Sequence, residues 1–267
     1  MTLDLSIPER FGKAVDTYVA NRTRYPTSLL TWILNETGTG ADAHVLDLGC
    51  GPGLIANAIA GGVGRVTGVD PSPEMLAAAR QDAPANVTYL QGSSDDLSIV
   101  EGPIDLVTMG RSFHWMDRPA TLVDLDARVP AGGALALLND KPIKAPENKW
   151  WFRLQEIGRA HSKPDPSSFV RMTDDWVPHE PVLLDSPFSD LKRISVFVRH
   201  NWTVETLWGH FLSRSATTVE VLGNDLPAFK DAFNAALSEF GTGPFETLTE
   251  AQALIARRPG TGEAHQQ

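Results

Sequence analysis

Cysteine is almost missing from this chain. Its 267 residues include one, Cys50, so neither a disulfide framework nor a thiolate metal site is available, and a reducing, cytoplasmic setting suits the composition. A basic face is missing as well. The formal net charge is -10 and Lys and Arg form no long cluster, which argues against a nucleic-acid substrate. No apolar run approaches membrane-spanning length, and Met1 to Arg10 lacks the basic start and apolar core of an export signal. Repeats and low-complexity tracts are absent. The acidic residues do not gather into the cluster a hard cation requires: Asp140 stands alone at a strand end, so no metal is expected. What these absences leave is a monomer or homodimer acting on a small molecule, without membrane or nucleic-acid partners, and long enough to bury a sizeable core.

Glycine, by contrast, is plentiful, and three glycines fall together. In Val45-Leu46-Asp47-Leu48-Gly49-Cys50-Gly51-Pro52-Gly53 a strand pattern carrying one acid runs into G-x-G-x-G, and Leu54 to Ala60 reads as the start of a helix. A chain turning from strand to helix needs positive φ, which glycine adopts cheaply. Bare backbone also lets a ligand lie against the N–H groups of a helix N-terminus. The spacing is not the dinucleotide G-x-G-x-x-G, and no Gly-Lys-Ser/Thr follows to hold a triphosphate. Asp47, two residues before Gly49, would repel a pyrophosphate and favour a cationic or amino-bearing ligand. About 20 residues after the turn, Arg65 to Asp70 reads as a strand ending in an acid, as expected for a carboxylate that binds ribose hydroxyls. Pro71 follows it, Ser72 suits a helix cap and Pro73 a first helical turn. Met75 would then face the place of an adenine.

The two motifs V-L-D-L-G-C-G-P-G and G-V-D-P-S-P-E-M-L together resemble the class I S-adenosylmethionine-dependent methyltransferases. The resemblance implies an α/β, Rossmann-like fold whose seven-stranded, mostly parallel sheet is flanked by helices. It implies S-adenosyl-L-methionine as cofactor and S-adenosyl-L-homocysteine as product, with contacts from Asp47, Gly49, Gly51, Gly53, Asp70, Pro71 and Met75. Upstream, apolar residues at Phe11, Ala14, Val15, Tyr18 and Val19 have helical spacing. Phe11, Tyr18, Arg22, Tyr25 and Pro26 also fit F-x-x-x-A-x-x-Y-x-x-x-R-P-x-Y-P, a segment of the small-molecule subgroup that includes trans-aconitate methyltransferase. Val15 and Thr23 depart from it. By that resemblance Tyr18 and Arg22 close over the cofactor and meet its carboxylate, and Tyr25 lies on the substrate side. The plain alternative is a surface helix with a solvated arginine.

Further strands are expected over 86–92, 104–110 and 134–140, with helices over 27–36 and through Leu122 to Val129, the latter capped by Asp117. Ser93-Ser94-Asp95-Asp96-Leu97 occupies the place of the family's adenine-edge motif. Ser93 replaces its usual first acid, so Asp95 or the Ser94 N–H would carry that contact. Arg111-Ser112-Phe113-His114-Trp115 leaves the fourth strand, beyond whose carboxyl end a ligand lies. Arg111 is assigned to the cofactor through its backbone, or to an anionic substrate through its charge. His114 reads as a general base or substrate donor, as a wall together with Trp115, or as a cap and loop-shaping residue. His161, His179 and His210 are weaker candidates for a base.

From Lys141 prolines recur and Trp150, Trp151, Phe152, Phe169 and Trp176 add aromatic surface, which suits either a substrate lid or rings that fasten the insertion. Ser213 ends a helix begun at Thr203, at a place where the subgroup's serines lie near substrate; a plain helix end reads equally well. The chain thus divides into a helical cover (1–36), a cofactor-binding core (37–140), a lid insertion after the fifth strand (141–190), strands and helices completing the sheet (191–258) and a disordered tail (259–267). The expected activity is in-line methyl transfer to a small-molecule acceptor, a natural product or carboxylate metabolite. The alternative is a cofactor-binding protein of the same fold that keeps the methyl group. A nicotinamide dehydrogenase is disfavoured by Asp47 and the glycine spacing.

Overall fold

A computed structural model describes residues 15–162, 176–214 and 216–260. The expected helix start at Phe11, Phe169 of the lid stretch and residues 261–267 of the tail lie outside the described residues. In chain order the elements are α1 (Val15–Asn21), α2 (Thr27–Thr37), β1 (His44–Leu48), α3 (Ala56–Ile59), β2 (Arg65–Asp70) and α4 (Pro73–Gln81). Then come β3 (Val87–Gln91), β4 (Leu106–Gly110), α5 (Arg118–Arg128), β5 (Ala134–Pro142) and α6 (Lys149–His161). The rest are α7 (His179–Leu184), β6 (Asp190–Trp202), α8 (Val204–Leu212), α9 (Val219–Leu222), α10 (Leu226–Ser238) and β7 (Phe245–Arg257).

The strands form one seven-stranded sheet in the order β3-β2-β1-β4-β5-β7-β6. β1 pairs in parallel with β2 and β4, β2 with β3, and β4 with β5. The mostly parallel sheet expected from the motifs is the one observed. Strand order reverses between β1 and β4, and an open sheet forms its ligand crevice beyond the carboxyl ends of the strands at such a point.

The chain divides into two compact units, each assembled from separated segments: Arg24–Asn139, Val177–Val196 and Ala251–Gln267 form one, Met1–Thr23, Asp140–Trp176 and Phe197–Glu250 the other. This division differs from the linear one expected from the sequence. The stretch 141–190 is shared between the two units, and β5, β6 and β7 each contain a unit boundary.

In the first unit successive strand residues face opposite sides. Val45, Leu106, Ala134 and Ala136 join Leu29 and Ile33 of α2 in one apolar cluster, while Leu46, Val107 and Leu135 join Leu122 and Leu125 of α5 in another. With both faces covered, β1 is buried along its whole length, which is why its sequence shows no alternation. The second unit has an aromatic core of Trp150, Trp151, Trp202, Phe211, Phe229, Phe233 and Phe245. Its helix α8 starts on a reciprocal cap: the Thr203 hydroxyl accepts from the Thr206 N–H at 3.1 Å and the Thr206 hydroxyl accepts from the Thr203 N–H at 3.0 Å.

Candidate functional site

The turn after β1 takes positive φ at Gly49, Gly51 and Gly53 (69°, 52° and 76°). Two of these glycines are also required by neighbours. A Cβ on Gly49 would stand 2.5 Å from the Cβ of Ser112, and one on Gly53 would stand 2.1 Å from the Tyr89 hydroxyl. Tyr89, on β3, donates to Asn57 Oδ1 at 2.7 Å, and its ring covers Gly68 of β2, where a Cβ would come within 2.6 Å. Gly51 is different. A Cβ there would meet nothing within 4 Å, so its backbone borders open space.

Asp70 fixes this turn. Its Oδ2 accepts from the Gly51 N–H at 2.8 Å and its Oδ1 from the Ser72 N–H at 2.9 Å, tying the loop after β1 to the loop after β2. A carboxylate offers about four acceptor positions, so it keeps capacity for a ligand's hydroxyls. Burial raises its pKa and the two amides oppose that rise. Ser72 caps α4 by accepting from the Met75 N–H at 3.2 Å, and Met75 is buried beneath while Pro71 is exposed.

Asp47 faces inward and is 1% exposed. Its Oδ1 accepts from the Thr108 hydroxyl at 2.8 Å and its Oδ2 from the Ala56 N–H at 3.2 Å, at the start of α3. Burial pushes its pKa up to about 7 against those two donors. A direct ligand contact is therefore not where the structure puts this side chain; it braces β1, β4 and α3 around the turn.

At the exit of β4, Arg111 has φ 56°, the one positive value on a non-glycine among the described residues. Such a backbone costs on the order of 1 kcal/mol and is typical of functional sites. The Arg111 N–H donates to the Leu138 carbonyl at 3.0 Å, and its guanidinium lies 4.6 Å from the Tyr25 ring centroid. Tyr25 is buried and donates its hydroxyl to the same carbonyl at 3.0 Å. Ser112 donates to the Leu48 carbonyl at 2.7 Å, locking β4's exit to β1. His114 sits half-buried in a short turn, its ring 4.9 Å from that of Trp115. It does not cap α5. Asp117 does, accepting from the Ala120 N–H at 3.1 Å. Ser93 and Asp95 engage each other, the Asp95 N–H donating to Ser93 Oγ at 3.2 Å, and Ser94 beside them is half-buried. His179 lies against Phe113 at 5.2 Å, with Arg118 Nη1 3.2 Å from its Nδ1.

Several expected substrate residues fall in the second unit, and three of them have structural contacts there. Trp150 and Trp151 are buried in the aromatic core, and Trp150 donates its indole N–H to the Glu246 carbonyl at 3.1 Å. Ser213 is buried and closes α8 by donating to the His210 carbonyl at 2.7 Å. Trp176 is half-buried. His161 pairs with Asp225 at 2.8 Å. His210 is buried 3.2 Å from the Asn21 carbonyl, and desolvation together with the charge of Arg22 lowers its pKa to about 3, too low for a general base near neutrality. Arg22 itself lies 5.2 Å from the Tyr18 ring. No group of three or more His, Cys, Asp or Glu side chains suited to a metal occurs among the described residues. No described helix is long and apolar enough to cross a membrane.

Sequence reading missed Tyr89, Asn57 and Ser112. One signal for the first was available: Gly68, inside a strand, marks a close approach by a neighbour.

Residues 45–133 match the model of a methyltransferase domain family. An uncharacterized methyltransferase of Mycobacterium tuberculosis is 35% identical over 129 residues, covering 48% of this chain and 51% of its own length. Trans-aconitate 2-methyltransferase of Delftia acidovorans is 38% identical over 112 residues, covering 40% of this chain and 39% of its own. The chain thus spans about half the length of the curated relatives it matches first. In three dimensions, a protein of Anaeromyxobacter dehalogenans assigned to the type II methyltransferases superimposes with a TM-score of 0.64 at 22% identity, over 89% of this chain and 97% of that one. At that identity the likeness concerns the fold.

Proposed function

We propose, from the premise that this chain carries a class I S-adenosylmethionine-dependent methyltransferase domain, that it transfers a methyl group to a small-molecule acceptor, a natural product or a carboxylate metabolite. The observation that carries this is Gly51: a positive-φ glycine with open space where a Cβ would be, its N–H held by Asp70. Bare backbone beside a carboxylate with spare acceptor capacity fits a nucleoside ligand.

S-adenosylmethionine, when bound, supplies an activated methyl on a positively charged sulfur. The protein's own part is mainly placement and exclusion of water, since the leaving group is already good. Gly49, Gly51 and Gly53 shape the cradle, Asp70 takes the ribose hydroxyls, and Pro71, Met75, Ser94 and Asp95 surround the base. Asp47 acts through the loop it braces. Arg111 contributes by its backbone, since its guanidinium lies over Tyr25. Tyr18 and Arg22 are assigned to the cofactor's carboxylate by the family resemblance alone. His114 takes the proton of an acceptor that has one to lose, and an acceptor already ionised needs no base. The carboxylate option draws on the trans-aconitate relative.

Calorimetric titration with S-adenosylmethionine, S-adenosylhomocysteine and NADH, followed by a labelled-methyl assay over carboxylates, phenols and amines, tests the proposal. Binding of both adenosyl ligands but not NADH, with label transferred, is expected. Binding without transfer to any acceptor would favour the cofactor-binding alternative, and no binding would overturn both. For a protonated acceptor, His114→Ala should lower kcat by on the order of 100-fold or more.

A further inference from the structure

The carboxyl end of β5 has a polar edge that the site described above leaves unused. β5 and β7 are neighbours in the sheet. The Ile143 N–H donates to the Leu248 carbonyl at 3.1 Å, and Lys141 Nζ lies 3.4 Å from Glu250 Oε2. Numbers that rise along one strand and fall along the other mark an antiparallel pair, and the same ladder sets Asn139 opposite Gln252. Directly opposed residues share a face of the sheet. Ala251 and Ala253 join the cluster under α2, so Gln252 lies on the other face, with Leu254 and Ala256 of the cluster under α5.

That cluster opens here. Leu137 and Leu254, the next residues on this face, are 7% and 8% exposed, whereas every other buried member of the cluster is at 3% or less. Asn139 is exposed. Gln252 Oε1, by contrast, is buried and has no hydrogen-bond partner. Leaving a buried polar atom unpaired is costly, and a native structure keeps one where something else completes it. Gly110 of β4 pairs with Leu138 and the Arg111 N–H donates to the Leu138 carbonyl, so the turn carrying His114 and Trp115 leaves β4 beside Asn139. From β4 across β5 to β7 is two strand spacings, about 9.6 Å, the scale of a small ring compound. Residues 110–139 and 251–254 belong to the same compact unit as the glycine cradle.

We propose that the methyl acceptor lies over Leu137 and Leu254, between the turn of His114 and β7, and donates a hydrogen bond from an O–H or N–H group to Gln252 Oε1. Gln252 is then a specificity-determining residue. A carboxylate has no proton to donate near neutrality, and its charge would meet the oxygen end of the amide dipole. Of the two acceptor classes above, this selects the neutral one: an apolar body that carries a hydroxyl or N–H group. Because Gln252 stands two strands away from the exit of β4, the group it holds is not the one methylated beside His114. The inference rests on the methyltransferase reading above.

The test uses the intact protein saturated with S-adenosylhomocysteine, titrated with indole and indene and with p-cresol and p-xylene, with affinities read by saturation-transfer NMR. Each pair has like shape, and only its first member donates. The natural protein should bind indole or p-cresol. In Gln252→Met the affinity of each donor relative to its partner should fall about fivefold, whereas Gln252→Glu, which keeps an acceptor oxygen, should hold that ratio within about twofold. S-adenosylhomocysteine affinity should stay within about twofold in both variants. Since Oε1 has no partner inside the protein, Gln252→Met should unfold at the same urea concentration as the natural protein or a higher one. An unchanged ratio in Gln252→Met, a ratio lost equally in Gln252→Glu, or no binding of either donor by the natural protein overturns the proposal. A lower urea midpoint, or a Gln252→Met protein that does not fold, also overturns it, because the oxygen then has a partner within the protein. Failure of the natural protein to bind S-adenosylhomocysteine overturns the methyltransferase reading instead, and is seen before any probe is added.

Discussion

Around the turn after β1, polar and steric fit is made by backbone. Missing Cβ atoms at Gly49, Gly53 and Gly68 admit Ser112 and Tyr89, and the carboxylates of Asp47 and Asp70 accept main-chain N–H groups. In the unit of α1, α6 and α8 the fit is made by side chains instead, the rings of Trp150, Trp151, Trp202, Phe211 and Phe233 packing on one another. A site built from backbone changes only when the fold changes, whereas one built from side chains can be re-cut residue by residue.

The sharpest way to break this contrast is Gly53→Ala. The added methyl would stand 2.1 Å from the Tyr89 hydroxyl at a φ of 76°, so a loss of about 3 kcal/mol or more is expected in urea unfolding. Combining it with Tyr89→Phe should recover part of that loss. If Gly53→Ala is as stable as the natural protein, the backbone fit described here is wrong.

Asp47 gives a somewhat smaller effect with a defined sign. Its folded pKa, about 7, lies above its ordinary value of 3.8. The buried neutral form therefore contributes fully below about pH 4, and that contribution is lost as pH rises through 7. Relative to Asp47→Asn, the natural protein should lose on the order of 2–4 kcal/mol between pH 4 and pH 8, read from urea unfolding at each pH. A difference between the two proteins that does not change with pH would contradict the burial seen for this carboxyl.

Gly51→Ala sharpens the contrast from the other side. Its methyl meets no protein atom, so stability should fall by only about 1 kcal/mol, from backbone strain. S-adenosylhomocysteine affinity should nevertheless drop roughly tenfold or more as the methyl enters the ligand's space. Unchanged affinity would remove the cradle from the proposed site. The smallest effect is expected at Trp150, where Phe deletes the bond to the Glu246 carbonyl at a cost of about 1 kcal/mol without altering S-adenosylhomocysteine binding.

Much of the fold was legible because local signals agreed with one another. Mainly apolar runs marked β1, β4 and β5, and Ser72, Asp117 and Thr203 each cap the helix expected of them. The cradle was legible for a related reason, since glycine at fixed spacing has few uses. The second unit resisted reading. Trp150 and Trp151 look alike whether they line a pocket or fill a core, because helical spacing shows which residues share a face but not what covers it. Ser213 drew attention to the end of α8, where its hydroxyl closes the helix by donating to the His210 carbonyl.

The sheet order also bears on how the molecule is made. β7 comes last of the strands yet lies between β5 and β6. As the chain leaves the ribosome, β6 emerges with no neighbour to join and waits while Thr203 to Pro244 is synthesised. Its unpaired backbone edge is exposed during that interval to pairing with other chains, so conditions that slow synthesis of this stretch favour association through β6.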